Sequence, residues 1–397
     1  MIKSIRLKNF FSFKEATIDL HPNLNVLIGI NGSGKSNLFK VIHLLKEGVA
    51  GIGLKHLILN TWGGFKEVLF AGRRGSDTIE IEFVLDGEKV RQYGYFFKED
   101  IHYRIELRQV PSSVNFSVSE RLYLPRQTQR DFIYIELHDG KGVLNECKDD
   151  GMLSLVRYND FDAQELALSK IFDTDRYFQI ATVRKAIAEL VVYNHFDTTP
   201  QSHIRRPMLP TSEKRLLSDG SNLPQMLNTL KINDKPSFSA LRETLRNINE
   251  QFTDIDFNFI GGNIELMLAE EKLNRSIHVS HLSDGTLRFL CLMSIFFNRE
   301  RGALVCIDEP EIGLHPDMMH TMIQSLKESA TETQFILTTH SAHFLDYFDF
   351  EHIRIVEKDE HNASRVAQYT KEDFKGWYEE FSLGKMWRAG DLGGNRW

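Results

Sequence analysis

A glycine-rich loop follows an apolar strand near the start of the chain and has the full pattern of a phosphate-binding loop: Gly29-Ile30-Asn31-Gly32-Ser33-Gly34-Lys35-Ser36-Asn37. Its glycines let backbone N–H groups turn toward phosphate oxygens, Lys35 supplies a cation, and the Ser36 hydroxyl can ligate Mg²⁺. A helix beginning near Lys35 directs its positive end at the same phosphates. A glycine-rich stretch can also be only a flexible turn, so a second element is needed to support the prediction of ATP and Mg²⁺ binding.

That second element is an apolar strand that ends in two carboxylates, Ala303 to Ile307 followed by Asp308 and Glu309. The pattern indicates a buried parallel strand with its acidic pair at the carboxyl end, where open α/β sheets bind ligands. Asp308 would hold Mg²⁺, and Glu309 would orient and deprotonate the attacking water. An Asp-Glu pair before a proline also suits an ordinary helix start, and alone it would favour that interpretation.

Two further elements lie on either side of the acidic strand. Ser283, Asp284 and Gly285 precede an apolar helix, so Ser283 can cap a helix end that offers free N–H groups to an anion. The apolar run Phe335 to Leu337 ends in Thr338-Thr339-His340-Ser341, where His340 could contact the γ-phosphate or the attacking water. The alternatives are an ordinary helix cap for Ser283 and a satisfied, packed side chain for His340.

In this order, the four elements resemble the ATP-binding-cassette class of ATPases, in the branch that holds the RecF-like, SMC and OLD families, and more specifically the small RecF-like AAA ATPases without a nuclease domain. The resemblance also covers the opening Ile5 to Phe13 and the motif Asp308-Glu309-Pro310-Glu311-Ile312-Gly313-Leu314-His315-Pro316. It implies an α/β P-loop NTPase fold, an ATPase head with a β-rich flank and a helical insertion.

The resemblance also implies how the residues act. Two heads would close face to face, with Ser283, Asp284 and Gly285 of one chain at the γ-phosphate bound by the other chain. Lys35, Glu309 and His340 would be catalytic within their own chain, and Ser36 and Asp308 would hold the metal. ATP would thereby join a homodimer or a higher oligomer, and hydrolysis would release it. Asp284 stands where transporter cassettes commonly have glycine, so we expect its side chain to turn away from the phosphates or to cap the helix.

Composition limits the alternatives. The 397 residues have a net charge of −7, which excludes a strongly basic protein that coats nucleic acid but allows a local basic face. The three cysteines show no metal-ligand spacing and suggest reduced core thiols. No apolar run approaches the roughly 18 residues of a membrane helix, so we expect a cytoplasmic protein with no membrane partner.

Pattern changes predict three parts: an N-terminal ATPase lobe over 1–149, a helical insertion over 150–252 and a C-terminal ATPase lobe over 253–397. The first would contain a hairpin in which Asp86-Gly87 is the turn and Val90 to Phe97 the returning strand. The insertion would contain helices over 176–194, 223–230 and 238–248. Its basic cluster is either a solvated loop or a site for nucleic acid or a protein partner; its residues are His203, Arg205, Arg206, Lys214 and Arg215.

We therefore expect an Mg²⁺-dependent ATPase acting in DNA repair and maintenance or in antiviral defence, beside DNA or a DNA-acting partner such as a nuclease. The stretch after His340 is too short for the nuclease domain of OLD enzymes. A nucleotide-gated scaffold with incidental turnover is the alternative. A transporter subunit is disfavoured by Asp284 and by the large insertion. No glutamine could be assigned a metal-sensing role; the candidates are Gln92, Gln127 and Gln129.

Overall fold

The chain folds as two compact units, the first formed by Met1–Leu190 together with Phe348–Trp397 and the second by Val191–Tyr347. The structure is a computed structural model that describes residues 1–71, 77–111, 113–126, 129–148, 151–374 and 382–393. Because the first unit is completed by the return of the chain after Tyr347, the second is an insertion within it.

The elements follow one another along the chain. The first unit begins with β1 (Ile2–Phe10), β2 (Phe13–Asp19), β3 (Leu24–Ile28), α1 (Lys35–Ala50), α2 (Leu54–His56), α3 (Phe65–Val68), β4 (Thr78–Leu85), α4 (Gly87–Val90), β5 (Ile101–Gln109), β6 (Phe116–Leu124), β7 (Phe132–His138), β8 (Lys141–Cys147), β9 (Leu153–Tyr158) and α5 (Phe178–Ala188). After β10 (Leu190–Tyr193) the second unit contains α6 (Leu223–Asn233), α7 (Lys235–Ile248), β11 (Phe252–Ile260), β12 (Asn263–Glu270), β13 (Ile277–His278), α8 (Asp284–Phe296), β14 (Leu304–Ile307), α9 (Pro316–Ser329), β15 (Gln334–Thr339) and α10 (Ala342–Leu345). The chain returns with β16 (Ile353–Lys358), β17 (Ser364–Ala367) and α11 (Leu383–Ala389).

The first unit contains an eight-stranded antiparallel sheet in the order β2-β1-β4-β5-β6-β7-β8-β9. Its strands alternate buried and half-buried residues, as in β4 and β5, so one face packs into a core. Strand β3 instead pairs in parallel with β16 and is buried along its whole length, which explains why all of its residues except Asn25 are apolar. The predicted α/β fold with a β-rich flank is confirmed.

The predicted hairpin at Asp86-Gly87 is wrong. The Asp86 carboxylate accepts hydrogen bonds from the backbone N–H groups of Glu88 and Lys89, so it caps the short helix α4 instead of forming a tight turn. The following residues continue as a 3₁₀ helix, and β4 pairs with β5, where Leu85 lies opposite Ile101. Local capping chemistry therefore outweighed the alternating pattern.

The second unit combines a parallel strand pair with a separate antiparallel sheet. Strands β14 and β15 run parallel, with Ile307 opposite Leu337, and β11, β12 and β13 form the antiparallel sheet. The predicted helices over 223–230 and 238–248 are confirmed as α6 and α7. The predicted helix over 176–194 is too long, because α5 ends at Ala188 and the β-branched run after it forms β10. The division into 1–149, 150–252 and 253–397 stays a prediction.

Candidate functional site

The glycine-rich loop of the first unit runs from the buried end of β3 to the first residue of α1. Within it, the Ser33 amide donates to Ile30 O at 3.1 Å. Lys35 is only 5% exposed, and its Nζ donates to Gly29 O at 2.7 Å and to Ile30 O at 3.3 Å. The lysine ammonium is therefore held over the carbonyl groups of its own loop.

Two glycines of the loop have no room for a side chain. A Cβ on Gly29 would lie 2.3 Å from Val356 O, and one on Gly34 would lie 2.3 Å from Ser364 Oγ. Gly34 also has a φ of +114°, which disfavours other residues. The loop is therefore packed closely against β16 and β17, and the glycines are required by space as well as by turn geometry.

A network of hydroxyl groups fastens β17 to this loop. Ser364 Oγ donates to Ser33 O at 2.5 Å and lies 2.7 Å from Ser12 Oγ, to which Asn37 Nδ2 donates at 2.8 Å. The sequence analysis assigned no role to Ser12 or Ser364. Ser12 lies in the opening segment Ile5 to Phe13, which is part of the resemblance, whereas nothing local pointed to Ser364.

The start of α1 has the electrostatics of an anion site. No side chain caps its N-terminus, and no acidic residue lies in its first turn, so its positive end is not neutralised locally. Within the described part of the chain, Ser33 Oγ is buried without a hydrogen-bond partner, while Ser36 is exposed. These groups fit a triphosphate whose magnesium ion is ligated by the Ser36 hydroxyl.

A cleft of about 1020 Å³ opens beside the loop in the first unit. Asn37 and Ser12 lie in its wall, and Lys40 Nζ lies 4.0 Å from the centre of the neighbouring Phe11 ring. Its remaining lining is mixed polar and apolar: Phe11, Lys14, Glu67, Leu69, Phe70, Ala71, Lys358, Glu360, His361 and Asn362. A nucleoside joined to phosphates in the loop would have room here.

In the second unit, the ends of β14 and β15 bring the acidic pair and the histidine together. His340 Nε2 lies 2.9 Å from Glu309 Oε1. Thr338 Oγ1 donates to Asp308 Oδ1 and accepts a hydrogen bond of 3.0 Å from the Glu309 amide. Glu309 has a φ of +47°, a conformation that costs of order 1–3 kcal/mol and is often found at active sites. His340 therefore holds the Glu309 carboxylate, and Thr338 holds the backbone of the same residue.

A third carboxylate, Glu311, is buried next to this pair. Thr339 Oγ1 donates to its Oε1, whereas its Oε2 is buried without a partner among the described residues. Burial, reinforced by the charge of Glu309, raises the pKa of Glu311 to about 7. Thr338, Thr339 and His340 thus each contact a different carboxylate of the segment after β14. The motif is evident from the amino-acid sequence, but this pairing of side chains is not.

The serine-led turn at the start of α8 has the expected cap. Ser283 Oγ accepts a hydrogen bond from the Thr286 amide at 3.1 Å. A Cβ on Gly285 would lie 2.8 Å from Gly313 O, and Arg288 Nη1 donates to Ile312 O at 3.3 Å. The turn is therefore packed against the segment that follows the acidic strand.

Arg205, in the middle of the basic cluster, is buried and makes its contacts within the protein. Arg205 is only 8% exposed, and its guanidinium pairs with the exposed Asp284 at 2.6 Å. Arg215 Nε donates to Glu300 O, and Lys214 pairs with Glu300. Arg205 is thus engaged within the protein, whereas His203, Arg206 and Lys214 are exposed, and the choice between a solvated loop and a binding site for the cluster stays a prediction. Asp284 does turn to a partner, although that partner is an arginine side chain.

The predicted site residues fall into one group in each unit. Asn31 to Asn37 form the loop group, and Ser283 to Gly285, Asp308, Glu309 and His340 form the second. Their roles remain predictions. Of the glutamines considered, Gln92 lies in a 3₁₀ helix, Gln127 lies outside the described residues, and Gln129 is exposed.

One histidine and carboxylate group missed by the sequence analysis is close enough to hold a metal: His21, Glu351 and His352. His21 Nδ1 accepts backbone N–H groups at 3.3 Å, and His352 Nδ1 accepts one at 3.4 Å. Each neutral ring therefore has its proton on Nε2, where a donor faces outward. This tautomer suits a carboxylate rather than a metal ion.

Comparison with known proteins supports an ATPase. The model described as "AAA ATPase domain" matches residues 1–142, and the model described as "AAA domain, putative AbiEii toxin, Type IV TA system" matches residues 161–346. A crystal structure of an Smc head bound to the C-terminal winged-helix domain of ScpA superposes with a TM-score of 0.59 at 15% identity, covering 94% of this chain and 99% of that one. Two AAA models along the chain and this fold support an ATPase that is similar to those of the RecF and SMC groups.

Three further proteins show what this chain is similar to. It is 24% identical over 368 residues to an ATP/GTP phosphatase of Helicobacter pylori, covering 88% of both chains. A RecF DNA replication and repair protein of Lactococcus lactis is 48% identical over 44 residues, which is 11% of this chain and 12% of that protein. The Smc head of Pyrococcus furiosus superposes with a TM-score of 0.53 at 14% identity, covering 96% and 98% of the two chains. The apolar helical stretches of the described residues fall short of what a bilayer crossing requires.

Proposed function

We propose that this ATPase binds Mg²⁺-ATP between two copies of the chain and uses Glu309 to activate the attacking water. The observation that carries the proposal is the anchoring of Glu309: its carboxylate lies 2.9 Å from His340 Nε2, and its amide donates to Thr338. A general base must be held within reach of its proton, and preorganised geometry is what such contacts provide.

The other residues divide the work. Lys35 and the N–H groups at the start of α1 bind the phosphates, and the exposed Ser36 hydroxyl and Asp308 ligate magnesium, which neutralises charge on the phosphates when it is bound. His340 orients Glu309 and reaches toward the γ-phosphate. The cleft beside the loop receives the nucleoside.

Ser283, Asp284 and Gly285 act on the nucleotide of the second copy. Support comes from the start of α8, where a serine cap leaves N–H groups at a helix end that can meet an anion. Because one phosphate group then decides whether two chains stay together, ATP binding and hydrolysis switch the homodimer on and off.

The proposed setting is DNA maintenance or antiviral defence in the cytoplasm, beside DNA or a partner effector such as a nuclease. The RecF relatives are named for DNA replication and repair, and one matching family is described as a toxin of a toxin–antitoxin system. The Helicobacter relative is named for both ATP and GTP, so GTP is a second nucleotide to be tested.

Glu309→Gln tests the mechanism. The amide cannot accept the proton of water, so we expect turnover to fall below about a hundredth of the wild-type rate while ATP binding is retained and the dimer persists. Phosphate release, nucleotide affinity and mass by light scattering are the readouts, with ATP and GTP compared. Glu328→Gln, an exposed residue of α9, is the matched control.

Two outcomes would change the proposal. Wild-type turnover by Glu309→Gln would remove this carboxylate from the chemistry. ATP-dependent dimers of a wild-type protein with negligible turnover would instead favour a nucleotide-gated scaffold.

A further inference from the structure

A single buried arginine holds the serine-led turn from behind. Arg205 Nε donates to Thr198 O at 2.8 Å, and Nη1 lies 2.8 Å from Leu282 O and 3.2 Å from Val279 O and Ser280 O. Nη2 completes the set by donating to Asp284 Oδ1 at 2.6 Å. Every one of its nitrogen atoms therefore binds an oxygen, and four of the five oxygens belong to the turn or to its immediate approach.

This arrangement requires arginine specifically. A planar guanidinium presents five donors in a fixed fork, whereas a lysine ammonium is a point charge with three rotatable donors. Lysine could pair with Asp284 or with the carbonyl groups, but it could not span the distance from Thr198 O to Asp284 at the same time. The contacts of Arg205 therefore set the path of residues 279–284 as well as their charge.

The charge matters because of where Asp284 stands. It is the first residue of α8, and its side chain is 59% exposed, so an unpaired carboxylate would oppose any anion approaching this helix end. Pairing with Arg205 cancels that negative charge. It also directs the carboxylate toward the protein, which leaves the N–H groups at the start of the helix accessible.

We infer that Arg205 is a positioning residue for hydrolysis in trans: it shapes the serine-led turn and neutralises Asp284, so that the turn accepts the triphosphate bound by a second copy of the chain. The inference rests on the proposed function and deepens it. The hydrogen bonds of Arg205 are with Thr198 and with residues 279–284, so we expect it to act through the turn that these residues form.

The test compares Arg205→Met, Asp284→Asn and the double variant, with the exposed neighbour Arg206→Met as control. We expect Arg205→Met to lower kcat and ATP-dependent dimer formation about 100-fold, because a misplaced group can cost that much, while a single chain still binds fluorescent ATP normally. The double variant also lacks the negative charge of Asp284, so its kcat should be about tenfold higher than that of Arg205→Met alone. A merely structural arginine would show no such rescue.

A mixing experiment covers the case in which Arg205→Met alone is inactive for other reasons. The Arg205→Met chain keeps an intact phosphate-binding loop, and a Lys35→Ala chain keeps an intact serine-led turn. A dimer of one chain of each kind therefore has one complete site. Equal amounts should restore about a quarter of wild-type turnover, since half the random dimers are mixed and each has one working site. If Arg205→Met does not fold, Arg205→Lys takes its place in the same mixture.

The outcomes separate the two proposals. If the wild-type chain forms no ATP-dependent dimer, the proposed function fails. If the wild type dimerises and Arg205→Met matches it in kcat and dimerisation, or if mixing restores nothing, only the role of Arg205 is overturned.

Discussion

Glu311→Gln should change how the stability of this ATPase depends on pH. The Glu311 side chain is buried, its Oε2 has no partner among the described residues, and burial together with the Glu309 charge raises its pKa to about 7 from an ordinary 4.5. Glutamine has nearly the same shape but does not titrate. It can still accept the hydrogen bond that Thr339 donates.

The sign follows from proton binding. Below about pH 4.5 the carboxyl is protonated in both folded and unfolded chains, and above about pH 7 it is ionised in both. Between these values the folded chain keeps the proton and the unfolded chain releases it, so the free energy of unfolding falls as pH rises. At about 1.4 kcal/mol per unit of pKa, the full change is about 3 kcal/mol.

Urea unfolding of both proteins from about pH 5 to pH 8, followed by far-ultraviolet circular dichroism, measures this difference. The variant should gain about 2–3 kcal/mol relative to wild type across that range, whatever its offset at low pH. Fluorescence is unsuitable because the four tryptophans lie outside 191–347. Glu328→Gln is again the control, and parallel pH profiles for Glu311→Gln and wild type would refute the reasoning.

Three more predictions follow from single contacts. Thr338→Val removes the hydroxyl that donates to Asp308, the proposed metal ligand, so half-maximal turnover should need about tenfold more Mg²⁺. Thr339→Val, which removes the hydroxyl that donates to Glu311, should not shift the Mg²⁺ titration. Equal shifts in the two variants would contradict this prediction. Ser364→Ala removes the hydroxyl that donates to Ser33 O of the phosphate loop and contacts Ser12, and we expect ATP affinity by calorimetry to weaken about tenfold with little loss of overall stability. Unchanged affinity would show that the loop needs no such support. In Glu120→Gln, a side-chain amide group that donates would face the backbone N–H of Ala167, which donates to the carboxylate in the wild type. The free energy of unfolding in urea should therefore fall by about 2–4 kcal/mol. A loss below about 1 kcal/mol would argue against the assigned contacts.

Local patterns predicted the parts of this molecule that local interactions decide. The strand, loop and helix around Lys35 and the buried strand before Asp308 follow from apolar periodicity and from residue types with one strong preference. The hairpin at Asp86 was wrong because two local signals competed, and the capping carboxylate prevailed.

The supporting contacts could not be predicted because they join residues far apart in the chain. Arg205 and Asp284 are 79 positions apart, and Ser33 and Ser364 are 331 apart. A basic residue among polar neighbours has the same pattern whether it is solvated or buried beneath a distant turn. The pairing of Thr338 and Thr339 with separate carboxylates likewise depends on the register of β14 and β15, which no single segment contains.

The hydrogen bond between Ser364 and Ser33 also limits how early during synthesis the phosphate-binding loop can reach its final structure. Ser33 leaves the ribosome early, but the hydroxyl that fastens its carbonyl is 331 residues behind it. At about 5–20 residues per second, this delay is roughly 15–70 s. During synthesis the unfinished chain would therefore carry a loop without this hydrogen bond, and full affinity for ATP would arise only after Ser364 has been synthesised.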